Sequence, residues 1–221
     1  MNEITIESFE KFHEKIQSYN KRVDNYRGVT NKEYELIPKI GRIPLPRRRA
    51  RSRTETLLFI RFKERALPYL DFMPRNDWDW LALAQHHGLP TRLLDWTRNP
   101  LVALYFAVEH ETTSDSAVYV LKGQVALPLK ANPNPFKFIG DGKFIPDRIS
   151  PRITTQLGIF TIHSKPENTF TSDNIDKLII PNNIRGKLKG ALDTYGINRS
   201  TLFPDLDGLA IYIAWQLSGG Y

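Results

Sequence analysis

The sequence predicts one mixed α/β domain, of the α+β kind, with a small, mostly antiparallel sheet flanked by helices. Three observations lead there. Stretches with helical apolar spacing and stretches with strand-like alternation follow one another along the chain, without an internal repeat or a compositional seam. The 221 residues, 41% hydrophobic, suffice for one large core. LVALYFAVEH is helical in pattern but apolar nearly all round, so it must be enclosed by other elements.

Phe9, Phe12, Ile16 and Tyr19 recur at helical spacing behind Ser8 or Thr5, either of which suits an N-cap, and place an opening helix at about residues 7–19. VDNYRGV, residues 23–29, reads as a short strand. In RIPLPRRRARSR, Arg42 to Arg53, prolines oppose regular structure and the arginines repel one another, which favours a solvated connecting loop over a dedicated phosphate clamp. Thr54 and Glu55 begin a second helix with Leu58, Phe62, Ala66 and Leu70 along one side. DFMPRN breaks it. Asp77 is the expected cap of a third helix, DWDWLALAQHH, and Gly88 its end, where a residue tolerant of positive φ is wanted.

RLLDW, residues 92–96, suits a buried strand, and Asn99-Pro100 sets an N-cap before a proline at the first helical position. AVYVLKG and QVALPL read as strands, and residues 131–152 as a long loop rich in Pro, Asn and Gly. QLGIFTIH, residues 156–163, alternates and is a strand, with Gln156, Gly158, Phe160 and Ile162 on one face. KLIIP is another. Ile184, Leu188, Leu192 and Tyr195 stripe a helix that Gly196 ends, and FPDLDGLAIYIAWQL closes the chain as a helix with Pro204 near its start.

Composition narrows the function classes. Cysteine is absent, which removes disulfides, thiol nucleophiles and thiolate metal sites and suits a reducing, cytoplasmic setting. The first residues have neither a basic start nor an apolar core, and no apolar run reaches membrane-spanning length, so a soluble, unexported protein is expected. Lys and Arg number 31 against 24 acidic residues, a formal charge of +7 whose field draws anions: nucleic acid, nucleotides or acidic partners.

Candidate chemistry gathers in a few places. Tyr26-Arg27-Gly28 ends a strand, where a guanidinium suits a bidentate hold on phosphate or carboxylate and the glycine admits a close neighbour, either backbone or ligand. The alternative for Arg27 is a structural pairing with Asp95 or Asp24. In TRLLDWTRNP, Arg92 and Asp95 point to opposite faces of a short strand, so each needs its own partner: a network with other segments, or a polar cleft. Thr97 and Asn99 lie at the start of the buried helix, as caps or as part of an anion site. Gln85-His86-His87 lacks metal-ligand spacing; a histidine there serves as a base, or is simply satisfied near a helix end. Arg152 and Gln156 bracket the entry to the alternating strand. No nucleophile elbow or phosphate loop is present, and paired catalytic carboxylates cannot be picked out.

YRGVTNKEYELIPKIGR, WLALAQHHGLPTRLLDWTRNPLVALYFAVE, RITTQLGIFTIH and INRSTLFPDLDGLAIYI together resemble the FRG domain, a bacterial and phage family named for its aromatic-Arg-Gly motif. The resemblance is ordered along nearly the whole chain and implies a single FRG domain over residues 1–221. More loosely, the sequence is similar to ADP-ribosyltransferases, whose first core strand carries an aromatic-Arg-Gly. That similarity implies an ADP-ribosyltransferase-like core with NAD as cofactor, Arg27 on its phosphates, Thr97 on the nicotinamide side and Gln156 near the place of the catalytic glutamate. The sequence departs from it where Asp95-Trp96-Thr97 replaces Ser-Thr-Ser and where no clear Glu-x-Glu appears, Gln156 being the polar residue nearest the catalytic place. A neutral glutamine lacks the charge that steadies an oxocarbenium-like transition state, and a histidine or Asp95 is the substitute.

The resulting expectation is a nucleotide-binding toxin or antiphage effector that transfers or hydrolyses ADP-ribose. Its catalytic candidates are Arg27, Asp95, Gln156 and His87. Its cofactor-binding candidates are Tyr26, Arg27, Gly28, Arg92, Trp96, Thr97 and Asn99, with no metal ligands and no membrane partner. The alternatives are a non-catalytic module that binds nucleic acid through Arg47 to Arg53, and a nuclease, which would need an acidic cluster the sequence does not display.

Overall fold

The computed structural model describes residues 1–46, 50–146 and 151–218. In chain order it contains β1 (Asn2–Thr5), α1 (Phe9–Gln17), β2 (Asn25–Val29), α2 (Lys39–Arg42), α3 (Arg51–Ala66), α4 (Asp77–His86), β3 (Leu93–Thr97), α5 (Pro100–Val108), β4 (Ser116–Leu121), β5 (Asp141–Phe144), α6 (Pro151–Thr155), β6 (Gly158–His163), β7 (Ile175–Ile180), α7 (Arg185–Thr194), α8 (Arg199–Leu202) and α9 (Leu206–Leu217). The strands form one seven-stranded sheet in the order β1-β7-β4-β2-β3-β6-β5. Every pairing in it is antiparallel except β1 with β7. This is a single α/β domain with a mixed, mostly antiparallel sheet.

The sheet has a weak seam at its middle. β2 pairs with β4 over five residues, and β3 pairs with β6 over five, yet β2 meets β3 at one register pair, Tyr26 with Thr97. Two well-laddered halves, β1-β7-β4-β2 and β3-β6-β5, are therefore joined at their centre by a single rung.

α5 is the helix that the sequence makes too apolar for any surface. Asn99 caps it, its side chain accepting from the Leu101 N–H at 2.9 Å, and Pro100 opens it at a position where no amide donor is needed. Val102, Ala103, Leu104, Tyr105, Ala107 and Val108 are all buried. The helix lies so close to β2 that a Cβ added at Gly28 would sit 1.9 Å from the Ala103 carbonyl oxygen. The close neighbour that Gly28 admits is thus the α5 backbone.

Three apolar cores result. Tyr26, Val118, Val120, Leu178 and Ile180 pack with α5, α1 and α7 on one face of the first half. Leu93, Phe144, Phe160 and Ile162 of the second half meet Phe59, Trp78, Trp80 and Leu81 from α3 and α4. A third core takes Val29, Tyr119 and Ile179 from the first half and Leu94, Trp96 and Ile159 from the second, under Leu36 and Phe170 from loops. Each large apolar side chain buried in this way stabilises the fold by about 1.5–3 kcal/mol.

Several expectations are corrected. α4 is capped by Asn76, whose side chain accepts from the Trp78 and Asp79 amides, and Asp77 is its first helical residue; Gly88 follows its end at φ +83° as expected. QVALPL forms no strand; it meets β5 through an isolated bridge, Ala126 with Lys143, and through the Leu127 amide, which donates to the Lys143 carbonyl at 2.7 Å. The stretch read as one long loop contains β5, which extends the sheet beyond β6. Gln156 lies before β6 rather than on its face, in a turn where Leu157 adopts φ +47°. The arginine block is partly helical: Arg42 ends α2 and Arg51 starts α3, donating from Nη1 to the carbonyls of Ile40 and Ile43. Arg47 to Arg49 of that block lie outside the described residues, as does the Arg152 side chain. β1, α2, α6 and α8 were not expected.

Candidate functional site

The seam between β2 and β3 opens onto a pocket of about 450 Å³, a volume in the range of small-molecule sites. Strand residues on both sides of the seam line it: Tyr26, Arg27, Gly28 and Val29 from β2, and Asp95, Trp96 and Thr97 from β3. The C-terminal end of α4 adds Gln85 and His86, α6 adds Ile153, and Phe106, Glu109 and Phe203 close the far wall. Where two strand edges part, their backbone N–H and C=O groups need other partners, and side chains or a ligand must supply them.

Arg27 supplies one. Its Nη1 donates to the Asp95 main-chain carbonyl at 2.7 Å and reaches the Asp95 carboxylate at 3.5 Å. Its Nε is buried without a hydrogen-bond partner, and among the described residues Nη2 makes no hydrogen bond. Burial works against the charged form of this guanidinium and lowers its pKa, with Asp95 opposing that shift. A guanidinium with unspent donors at the edge of a cleft is suited to an anion.

Asp95 lines the pocket with its side chain 57% exposed, although the residues on either side of it in β3 are buried. Gln85 orients it: Nε2 donates to Asp95 Oδ2 at 2.9 Å, while Gln85 Oε1 accepts from the Thr91 hydroxyl at 2.7 Å, which fixes the amide's direction. Both contacts to the carboxylate fall on Oδ2; among the described residues Oδ1 makes no hydrogen bond. The carboxylate thus keeps an acceptor facing the pocket.

The remaining wall is mostly apolar or committed. Trp96 is buried, and its indole N–H donates to Thr161 Oγ1 at 2.9 Å. Burial, with Asp24 adding to it, pushes the Tyr26 phenol up to about 12, so it is neutral at physiological pH. The Thr97 hydroxyl donates to the Gln156 carbonyl at 2.6 Å and accepts from the Asn99 amide, which ties β3 to the turn before β6. Gln156 spends its Nε2 on the Leu202 carbonyl at 3.0 Å. Glu109 is held by Arg199 and by the Tyr105 hydroxyl at 3.4 Å.

Of the residues expected at the site, Tyr26, Arg27, Gly28, Asp95, Trp96, Thr97 and Gln156 line this pocket. Arg92, Asn99 and His87 do not. Arg92 is buried on the Glu55 carboxylate, with Nε and Nη2 donating at 2.8–3.1 Å, its own amide donating to Oε1, and the Phe136 ring 5.2 Å from its guanidinium carbon. The partner it required is therefore Glu55 on α3, in the interior rather than in a cleft. Asn99 is the α5 cap. His87 is the exposed C-cap residue of α4, whereas its neighbour His86 faces the pocket. Sequence reasoning missed Gln85 as the residue that positions Asp95, and missed Glu109; the latter was signalled only as the first charge after the apolar run of α5. No cluster of metal-ligating side chains occurs among the described residues.

These features define an α/β protein with a polar cleft at a discontinuity in its sheet. The FRG domain family model matches residues 23–116, from the loop before β2 to the first residue of β4, so this part of the chain carries an FRG domain. Arg27, Gln85 and Asp95 all fall within that span, whereas RITTQLGIFTIH and INRSTLFPDLDGLAIYI lie beyond it. No curated protein and no solved structure matches the chain. No helix among the described residues is long and apolar enough to cross a membrane.

Proposed function

We propose that the cleft binds a nucleotide, with NAD as the leading candidate, and that the protein is an ADP-ribosyltransferase-like effector that transfers or hydrolyses ADP-ribose. The observation that carries the reading is the pairing of an unspent guanidinium, Arg27, with an outward carboxylate, Asp95, across the seam of the sheet. A phosphate beside a ribose diol presents the complementary pattern, an anion next to hydroxyl donors. Phe106 and Phe203, whose ring centroids are 6.1 Å apart, offer an aromatic wall for a base or nicotinamide ring.

NAD supplies an N-glycosidic bond with nicotinamide as leaving group. In this reading Arg27 holds the pyrophosphate, and Gln85 keeps Asp95 aimed into the cleft. Asp95, in place of the neutral Gln156, provides negative charge for an oxocarbenium-like transition state. Within the arginine block Arg51 is engaged with backbone carbonyls, which leaves Arg42 and Arg53 as its exposed described cations for a nucleic-acid reading.

Thermal shift and nicotinamide release test this directly. NAD is expected to raise the Tm of the wild-type chain, and Arg27→Ala to abolish that rise in a protein that remains folded. Asp95→Asn is expected to retain the rise and lose nicotinamide release. Absence of any shift with NAD, ADP-ribose or ATP overturns the reading.

A further inference from the structure

α9 is built inside out. On a helical projection Gly208, Tyr212 and Trp215 share one side and Leu206, Ala210, Ile213 and Leu217 the other, with Leu209 and Ala214 flanking. The first side is the docked one. A Cβ at Gly208 would lie 2.0 Å from the Phe203 carbonyl, Tyr212 donates to Asp193 at 2.8 Å, and Lys189 sits 5.0 Å over the Trp215 ring. The aliphatic side faces outward: Leu206 is 83% exposed, Leu217 84% and Ile213 45%. Gly208 is the only buried residue of the helix. An amphipathic helix normally buries its aliphatic stripe.

We propose that this face pairs with the same face of a second copy of the chain, as an antiparallel helix pair about a two-fold axis. Two observations select that occupant. The first is charge. The chain carries +7, so another copy is repelled over most of its surface, but α9 contains no Lys or Arg and a single charged residue, Asp207. An interfacial membrane helix of this kind would present Lys and Arg on its polar side, and α9 has neither.

The second is self-complementarity. Leu206, Ala210, Ile213 and Leu217 repeat at four-three-four spacing, the seam of a coiled coil. In an antiparallel pair centred between Ile211 and Tyr212, Leu206 meets the partner's Leu217 and Ala210 meets the partner's Ile213, while the flanking positions face their like, Leu209 on the flank of the partner's Leu209 and Ala214 on that of the partner's Ala214. Ile213 thus falls on the partner's Ala210 at the centre, Asp207 lies on the same flank as the partner's Ala214, and the helix dipoles oppose. Such an isologous contact closes after two copies.

Sedimentation velocity on the full chain over a micromolar concentration series is expected to show a dimer that dissociates on dilution. Ile213→Glu is expected to sediment as a single chain at every concentration with an unchanged circular dichroism spectrum, since its side chain points away from the core. The register has its own test, helped by the absence of native cysteine. Under oxidation, a mixture of Leu206→Cys and Leu217→Cys chains cross-links, while either alone does not, because like positions lie about 16 Å apart along the axis. A wild-type chain that stays single, including one that is single in solution but floats with anionic vesicles, overturns the proposal. So does a dimer that survives Ile213→Glu, or one in which Leu206→Cys cross-links to itself.

Discussion

Arg92 illustrates how a residue that looks functional in sequence becomes structural in three dimensions. A buried guanidinium is tolerable only with an ionised partner and satisfied donors, and Glu55 provides both, reaching across from α3 to bind side chain and backbone of the same residue. Glu55→Ala is expected to cost about 3–5 kcal/mol in urea denaturation, because it strands an unpaired charge where the Arg92 and Glu55 side chains are only 5% and 1% exposed. Arg27 is the contrasting case, since its guanidinium is anchored through Nη1 to a carbonyl and the rest of its donor set is not consumed. Both residues read in sequence as an Arg in or beside a buried strand; what separates them is a carboxylate 37 positions upstream of Arg92 that local pattern cannot reveal.

At the scale of elements, α5 shows what sequence reads well. Its cap, its proline and its uniform apolarity were each legible, and each is found. Asn99→Ala is expected to lower stability by about 1 kcal/mol through loss of the cap, while leaving nucleotide-induced thermal shift intact, since Asn99 lies outside the pocket. A loss of that shift would instead make Asn99 a ligand-binding residue. The elements that were not legible are those whose reason for existing is elsewhere in the chain. β1 is NEIT, four residues without alternation, and is a strand because β7 offers a free edge. β5 is DGKF, hidden in a Pro- and Asn-rich stretch, and is recruited by β6. QVALPL has better strand propensity than either, yet it pairs with β5 at an isolated bridge and builds no ladder. For the site, β2 and β3 were identified and Arg27 and Asp95 were placed together, but the role of Gln85 depends on where α4 ends relative to β3, a tertiary fact.

For the whole molecule, acid sensitivity follows from carboxylates that tie distant segments together. The Asn182 amide and the Lys32 ammonium hold Asp115 below its usual range, joining the loop after β2 and the one after β7 to the start of β4. Burial pushes Asp176 upward, but Lys122 and the Tyr19 hydroxyl outweigh it and leave its pKa lowered. A carboxylate whose folded value lies below its unfolded value stabilises fully above the unfolded value, near about 4, and loses that contribution as pH falls through the folded value. Tm is therefore expected to fall on acidification below about 4, and Asp115→Asn to flatten that fall; a variant with the wild-type acid profile would show that Asp115 contributes nothing to it. The junction of β2 and β3 carries a different consequence. With one rung between them, the two halves of the sheet form a nearly unzipped fastener whose open teeth are the pocket itself. A guest that bridges the gap takes over the crosslinking that backbone pairing leaves undone, so occupancy and internal stiffness become the same quantity, legible as slowed amide exchange on either side of the opening.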